Sequence, residues 1–579
     1  MSRALSSNSV VLNDQIIPAT IIFSIESGKI LEICYNKILT TDDPLLSLYD
    51  VDPKDYRNVS PLIIMPGLVD AHVHLNEPGR TEWEGFETGT KAAASGGVTT
   101  VIDMPLNAIP PTTSVKNFNI KLEAAKGQCW VDVGFWGGLV PDNLKDLIPL
   151  INAGVRGFKG FLIDSGVDEF PAIDSNYIDK ALEVVKNHDT LIMFHAEMQP
   201  RNHDHHGPQV IEDLNTLSLD YIDNNNNNDA IVELENTGSN TIQTTISSKS
   251  NKTLPLDRTE HDYINKDLSD DQIIALATSP VLQPAEPKSG EAYDIIHRNH
   301  SHTKNPLQNA TELSDELNKV DPTLYTSFLA SRPDIFEIEA VKTIISCALK
   351  NPSVPLHIVH LATKDVIPIL YEAQKSGLKI TAETCFHYLS FFAENIPDGS
   401  TFFKCCPPIR TNENRLKLWD GLKKNIITTV VSDHSPCTPE LKNLTEGDFF
   451  SAWGGIASVG LGLQVLYTES LKDETTASIV DIVNWCCKNT AKQVGLNHRK
   501  GDLKVGYDAD IVIFDTNAKH TITNESVFFK NKITAYNGVT LNGRVIETIV
   551  RGNSIFALNK GHSTIAMGKA ILEKRVLVH

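Results

Sequence analysis

Six side chains able to bind a metal or carry a proton recur at one kind of place along this chain. In PGLVDAHVHLNEPG, His72 and His74 stand one residue apart within an apolar run. Side chains at i and i+2 of a strand point to the same face, so two imidazoles would share one side just before a Pro-Gly turn. Further on, Lys159 lies in GVRGFKGFL, His195 in TLIMFHAE, His360 in PLHIVHLA and Asp433 in NIITTVVSDHSP. Imidazole and carboxylate suit Zn²⁺ and similar divalent ions. Each residue alone has an ordinary explanation. A single histidine near a strand end is commonly a hydrogen-bonded structural residue. Asp433 suits an Asx turn or a helix cap. Lys159, in an apolar run, must either snorkel or bear the cost of desolvation. At five strand ends together, these explanations require five separate coincidences, and the set reads as a metal site.

The elements that must position these residues are legible as alternation. Apolar strand-like runs begin at GLVDAHVHL, GVTTVIDMP, WVDVGFWGG, GVRGFKGFL, TLIMFHAE, PLHIVHLA, LKITAETC and NIITTVVSDHSP, most of them separated by helix-length segments. Eight such βα units predict an α/β fold, a (β/α)8 TIM barrel, over residues 66–498. A barrel of this type forms its active site at the C-terminal ends of its strands, where all six residues fall. The flanks, residues 1–65 and 499–579, carry short β runs broken by Gly, Asp and Asn, and predict a small β-sandwich formed from both chain ends. Residues 203–320 do not fit the alternation. They include Asn224 to Asn228 in a row and TGSNTIQTTISSKSNKT, too polar to offset the entropy of ordering, and predict a largely disordered insertion on the barrel surface.

Composition narrows the partners. With Asp+Glu 72 against Lys+Arg 52, the formal charge of −20 argues against a nucleic-acid or anionic-membrane binder. Nine cysteines contain no C-x-x-C pair, which suits reduced thiols and a cytoplasmic setting. No signal-peptide core follows Arg3, and no apolar run is long enough to span a bilayer.

The stretches GLVDAHVHLNEPGRTEWEGF, GGVTTVIDMPLNAIPPTT, GFKGFLIDSGVDEF, FHAE, SRPDIFEIEA, HIVHLA, ETCFHYL, KCCPPIR, VVSDHSPCTPELK, GDFFSAWGGIAS and KGDLKVGYDADIVIFD carry a resemblance. The chain resembles the amidohydrolase superfamily, in its cyclic-amide branch of dihydroorotases, hydantoinases and allantoinases, and is most similar to the allantoinases. SDHSPC and DFFSAWGGIAS are the more specific of these motifs; His-x-His alone is not specific. The resemblance implies two divalent metal ions, zinc by default. His72, His74 and Asp433 would hold one and His195 and His360 the other. His357 competes with His360, and the family pattern of a ligand directly before the strand-end Leu favours His360. Lys159, carboxylated by CO₂ to N6-carboxylysine, would bridge the pair together with a hydroxide. That hydroxide would attack a ring amide carbon while Asp433 serves as general base and then acid, opening allantoin to allantoate. A homotetramer is also implied.

Within the branch, dihydroorotases resembling this chain hold the substrate carboxylate with an Arg two residues after His-x-His. Here that position is Asn76, which offers no charged fork. Hydantoinase-type enzymes often carry a Tyr shortly after the bridging Lys, where this chain has Asp164 and Ser165. Both features favour allantoin, a small molecule whose ureido arm an amide side chain can serve as donor and acceptor. Metal-free scaffold relatives of this fold lack several ligands, whereas all six positions are filled here.

Overall fold

The computed structural model describes residues 1–200 and 320–576; the 203–320 insertion lies almost wholly outside the described residues. The chain opens with five strands, β1 (Ser2–Leu12), β2 (Gln15–Ser24), β3 (Ile30–Tyr35), β4 (Val51–Asn58) and β5 (Ile63–Pro66). It then winds through β6 (Leu68–Val73), β7 (Val98–Asp103), β8 (Asp132–Phe135), β9 (Gly137–Gly138), β10 (Phe158–Phe161), β11 (Ile192–His195), β12 (Leu356–Ile358), β13 (Ile380–Cys385) and β14 (Thr429–Val431). Four strands close the chain: β15 (Ile511–Thr521), β16 (Thr540–Val550), β17 (Asn553–Ala557) and β18 (Gly561–His562).

The middle strands are the TIM barrel. Strands β6, β7 and β8 pair in parallel, and β9 to β14 pair in parallel in chain order. Only Trp136 separates β8 from β9, so the two are halves of one interrupted stave and the barrel has eight. It closes where Val73, ending β6, bridges His434 just beyond β14. Every residue of β6 and β7 is buried. Parallel strands covered by helices on one side and packed inward on the other must be apolar on both faces, which is why these runs are continuous rather than alternating. Close backbone approach occurs just before β7. Gly96, ending the helix Phe86–Ser95, meets Gly460, where an added Cβ would sit 2.0 Å from the Gly460 carbonyl oxygen. No larger residue fits there.

The two chain ends share one nine-stranded sheet, in the order β18-β17-β16-β15-β5-β1-β2-β3 with β4 also on β1. Its own core includes Leu5, Val10, Ile21, Ile33, Ile64, Ile511, Ile513 and Ile549. Where this sheet meets the base of the barrel, a charged cluster is buried. Lys500 Nζ donates to Asp132 at 2.9 Å and Asp510 at 2.6 Å, and stands 3.1 Å from Asp508. Arg551 pairs with Asp132, and Arg499 with Asp508. Among the described residues, no helix is long and apolar enough to cross a membrane.

Candidate metal centre

The C-terminal rim of the barrel gathers the six residues. His72 is the fifth residue of β6 and His74 follows that strand by one position. Lys159 is the second residue of β10, and His195 is the last residue of β11. His360 and Asp433 each lie two residues beyond a short strand, β12 and β14. These two turn inward through left-handed backbone, with φ of 39° and 42°. Such a conformation is costly for a residue with a Cβ and persists only where the surroundings impose it. All six side chains are buried.

They form one connected group. His72 Nε2 is 3.1 Å from the Asp433 carboxylate and 3.2 Å from Lys159 Nζ. His74 Nε2 is 3.5 Å from the same Asp433 oxygen. On the other side, His195 Nδ1 faces His360 Nε2 at 3.1 Å, and the His72 and His360 rings are 5.4 Å apart between centroids. His357, three residues before His360, is turned away from these groups, toward Thr381, Glu383 and Gln493.

Behind these residues stands a layer of buried carboxylates. Glu383, on β13, meets His72 Nδ1 at 2.5 Å and His357 Nε2 at 3.0 Å, and accepts from Gln493 at 2.8 Å. Glu197 meets His195 Nε2 at 2.6 Å and is itself gripped by Arg332 through two bonds, at 3.0 and 2.7 Å. A carboxylate on one ring nitrogen fixes the tautomer and leaves the lone pair of the other nitrogen facing the site. His74 Nδ1 has the Asn107 amide at 3.3 Å. ETCFHYL, FHAE and SRPDIFEIEA contain Glu383, Glu197 and Arg332, but the sequence does not mark their roles. Glu197 follows His195 by two residues, the same spacing as His72 and His74, and that was the available signal.

The electrostatics suit a cation. Burial holds His74 down to about 3 and pushes His195 and His360 down as well, so these rings are neutral ligands. Burial and Lys159 push His72 down, yet Asp433 and Glu383 together more than reverse this. Burial pushes the Asp433 carboxyl up, and the imidazoles, His72 foremost, carry it well below the usual carboxylate range. Burial also brings Lys159 down to about 8. Facing lone pairs, at His195 Nδ1 and His360 Nε2 and at His72 Nε2 and Asp433, attract only with a proton or a cation between them. Ligand atoms of His72, His74 and Asp433 all lie within 4.8 Å of one another, and among the described residues His360 Nδ1 is buried without a partner. The donor set fits a divalent metal centre.

The comparisons agree with this geometry. A model of the Amidohydrolase family matches residues 63–251 and 339–555. The allantoinase of Saccharomyces cerevisiae is 47% identical over 575 residues, 99% of each chain. The chain belongs to the amidohydrolase family, in its allantoinase group. A mitochondrial allantoinase of Aquarana catesbeiana is 36% identical over 501 residues, 86% of this chain and 78% of the relative. Among solved structures, an L-hydantoinase from Arthrobacter aurescens superposes with a TM-score of 0.71 at 21% identity, covering 99% of this chain and all of the other. That likeness establishes the amidohydrolase TIM-barrel fold.

Proposed function

We propose that the chain hydrolyses the cyclic amide of allantoin to give allantoate, with His72, His74, Lys159, His195, His360 and Asp433 forming a binuclear metal site. The observation that carries this reading is the full-length, 47% identity to an allantoinase. The convergence of the six buried side chains at one rim supports it. Zinc is the default ion, since imidazole-rich sites suit it. When bound, the two ions lower the pKa of a water and polarise the amide carbonyl.

The chain's own residues do the rest. A lysine brought down to about 8 has an appreciable uncharged fraction near neutral pH. Its amine can add to CO₂, forming an N–C bond and losing a proton to give the carboxylated Lys159, an anion among otherwise neutral imidazoles. Asp433 remains a carboxylate and can accept a proton, 3.1 Å from His72 and 3.5 Å from His74. It takes the proton of the attacking water and returns it to the ring nitrogen as the C–N bond breaks, base first and acid second. Asn76 carries no charge, is buried, and among the described residues its Oδ1 has no partner. An amide in that place serves a ureido group better than a carboxylate, which separates this reading from a dihydroorotase. A cytoplasmic homotetramer is the setting and assembly that the thiol-bearing, acidic sequence and the family resemblance support.

A substrate panel with elemental analysis tests the reading. The expected result is two divalent ions per chain and a kcat/KM for allantoin at least about 100-fold above dihydroorotate, dihydrouracil and hydantoin. Preference for another cyclic amide would replace the substrate. A replete protein holding well under one ion per chain, with no turnover, would make it a scaffold.

A further inference from the structure

Five staves of the barrel deliver the six residues to the rim; β13 sends none of them and supplies Glu383 behind His72 instead. Its contribution there is His387, two residues past its end in the short helix Phe386–Ser390. His387 is wholly buried, its ring edge-on to Tyr388 with centroids 4.1 Å apart. Ligand atoms of His387, Cys385 and Asp433 lie within 4.8 Å of one another. Among the described residues, neither His387 ring nitrogen has a hydrogen-bond partner. Buried polar groups are almost always bonded, and an exception in a native fold calls for a reason. The other imidazoles at this rim each have at least one partner: His72 and His195 have carboxylates behind them, His74 has Asn107, His360 has His195, and His434 accepts from the Ser458 and Val459 amides.

We propose that His387 touches the substrate, a ring nitrogen accepting the N–H of the amide that is cleaved and so turning that nitrogen toward Asp433. This rests on the hydrolysis reading above and adds a contact from β13, which supplies none of the six. The placement follows from proximity. Asp433 returns a proton to the departing nitrogen, so a group within 4.8 Å of the Asp433 oxygen lies near that nitrogen when substrate is bound. Burial pushes the His387 ring down to about 4, so a lone pair is available throughout the neutral range. A neutral imidazole has one N–H and one lone pair, and with both nitrogens buried a substrate N–H is the natural partner for that lone pair.

The test compares wild type, His387→Leu and His387→Gln as metal-loaded, full-length protein. His387→Leu is expected to keep the wild-type metal content and melting temperature while kcat/KM for allantoin falls at least about 30-fold, the scale of losing a hydrogen bond to a reacting group. His387→Gln, whose amide oxygen still accepts, is expected to recover most of that loss at the same melting temperature. A His387→Leu enzyme with wild-type kcat/KM overturns the proposal. So does metal lost from His387→Leu, which would make the residue a ligand, and so does misfolding of both variants, which would make it a core residue. An inactive wild type sinks the hydrolysis reading itself, whereas an active wild type beside an unimpaired His387→Leu sinks only the role of His387.

Discussion

Among the described residues, two of the buried clusters that bring together three metal-competent groups stand at opposite ends of the barrel: His72, His74 and Asp433 at the rim, and Asp132, Asp508 and Asp510 at the base. Their chemistry differs because their charges are balanced differently. At the base, Lys500 reaches all three carboxylates, and Arg551 and Arg499 complete the set. Every acid there has a resident cation, so nothing is left to recruit. At the rim the groups are mostly neutral imidazoles with lone pairs turned toward one another, and the one lysine contacts a histidine rather than a carboxylate. Buried groups that satisfy each other hold a fold together; buried groups whose lone pairs lack a proton or cation await a ligand. The barrel puts the second kind at the C-terminal ends of its strands, and the Lys500 cluster, of the first kind, at the opposite end.

The sharpest way to break this contrast is Lys159→Ala. If the carboxylated lysine joins the two halves of the rim, the variant should lose bound metal and at least about 1,000-fold in rate, with the fold kept. Added short carboxylic acids should restore part of both. Elemental analysis and initial rates read the outcome; full metal and full rate in the variant would remove Lys159 from the site. The base cluster should answer in the opposite way. Lys500→Met leaves three buried carboxylates with fewer cations and should cost about 3–5 kcal/mol of stability. Metal content and kcat/KM of the remaining folded protein should be unchanged. A loss of rate without a loss of melting temperature would show that the two clusters are coupled.

The contrast also bears on what the chain discloses before it is folded. The barrel is legible because eight apolar runs recur with helices between them, and the rim residues, Lys159 near the start of β10 apart, because they stand at or near the end of such a run. His72 and His74 stand out as a pair through their i, i+2 spacing, which becomes specific only beside the other strand ends. His357 and His360 are not separable that way: both are histidines in HIVH, and only the end of β12 after Ile358 turns one toward Glu383 and the other toward His195. Glu383 and Arg332 are hidden for another reason. Their partners lie far off in the chain, 311 residues away for Glu383 and His72 and 135 for Arg332 and Glu197, and charged residues are common enough that position alone does not mark them. The base cluster is invisible for the same reason, since Asp132 and Lys500 are 368 residues apart.

The smallest expected effect is a pH dependence confined to the base. Burial pushes the Asp508 carboxyl up, and Lys500 and Arg499 more than reverse it, leaving it at about 2 against a usual 3.8. A carboxylate whose folded pKa is depressed stabilises the fold above its unfolded pKa, near 3.9, and that contribution fades as pH falls through the folded value. Wild type should therefore melt above Asp508→Asn at pH 6, with the gap narrowing below about pH 4 and nearly closed by pH 2. Because Asp508 lies at the base and not the rim, kcat/KM at pH 7 should be equal in the two proteins. A gap that stays constant down to pH 2 would mean that Asp508 contributes by packing rather than by charge. The base would then be held by shape, and charge satisfaction would no longer be what distinguishes it from the rim.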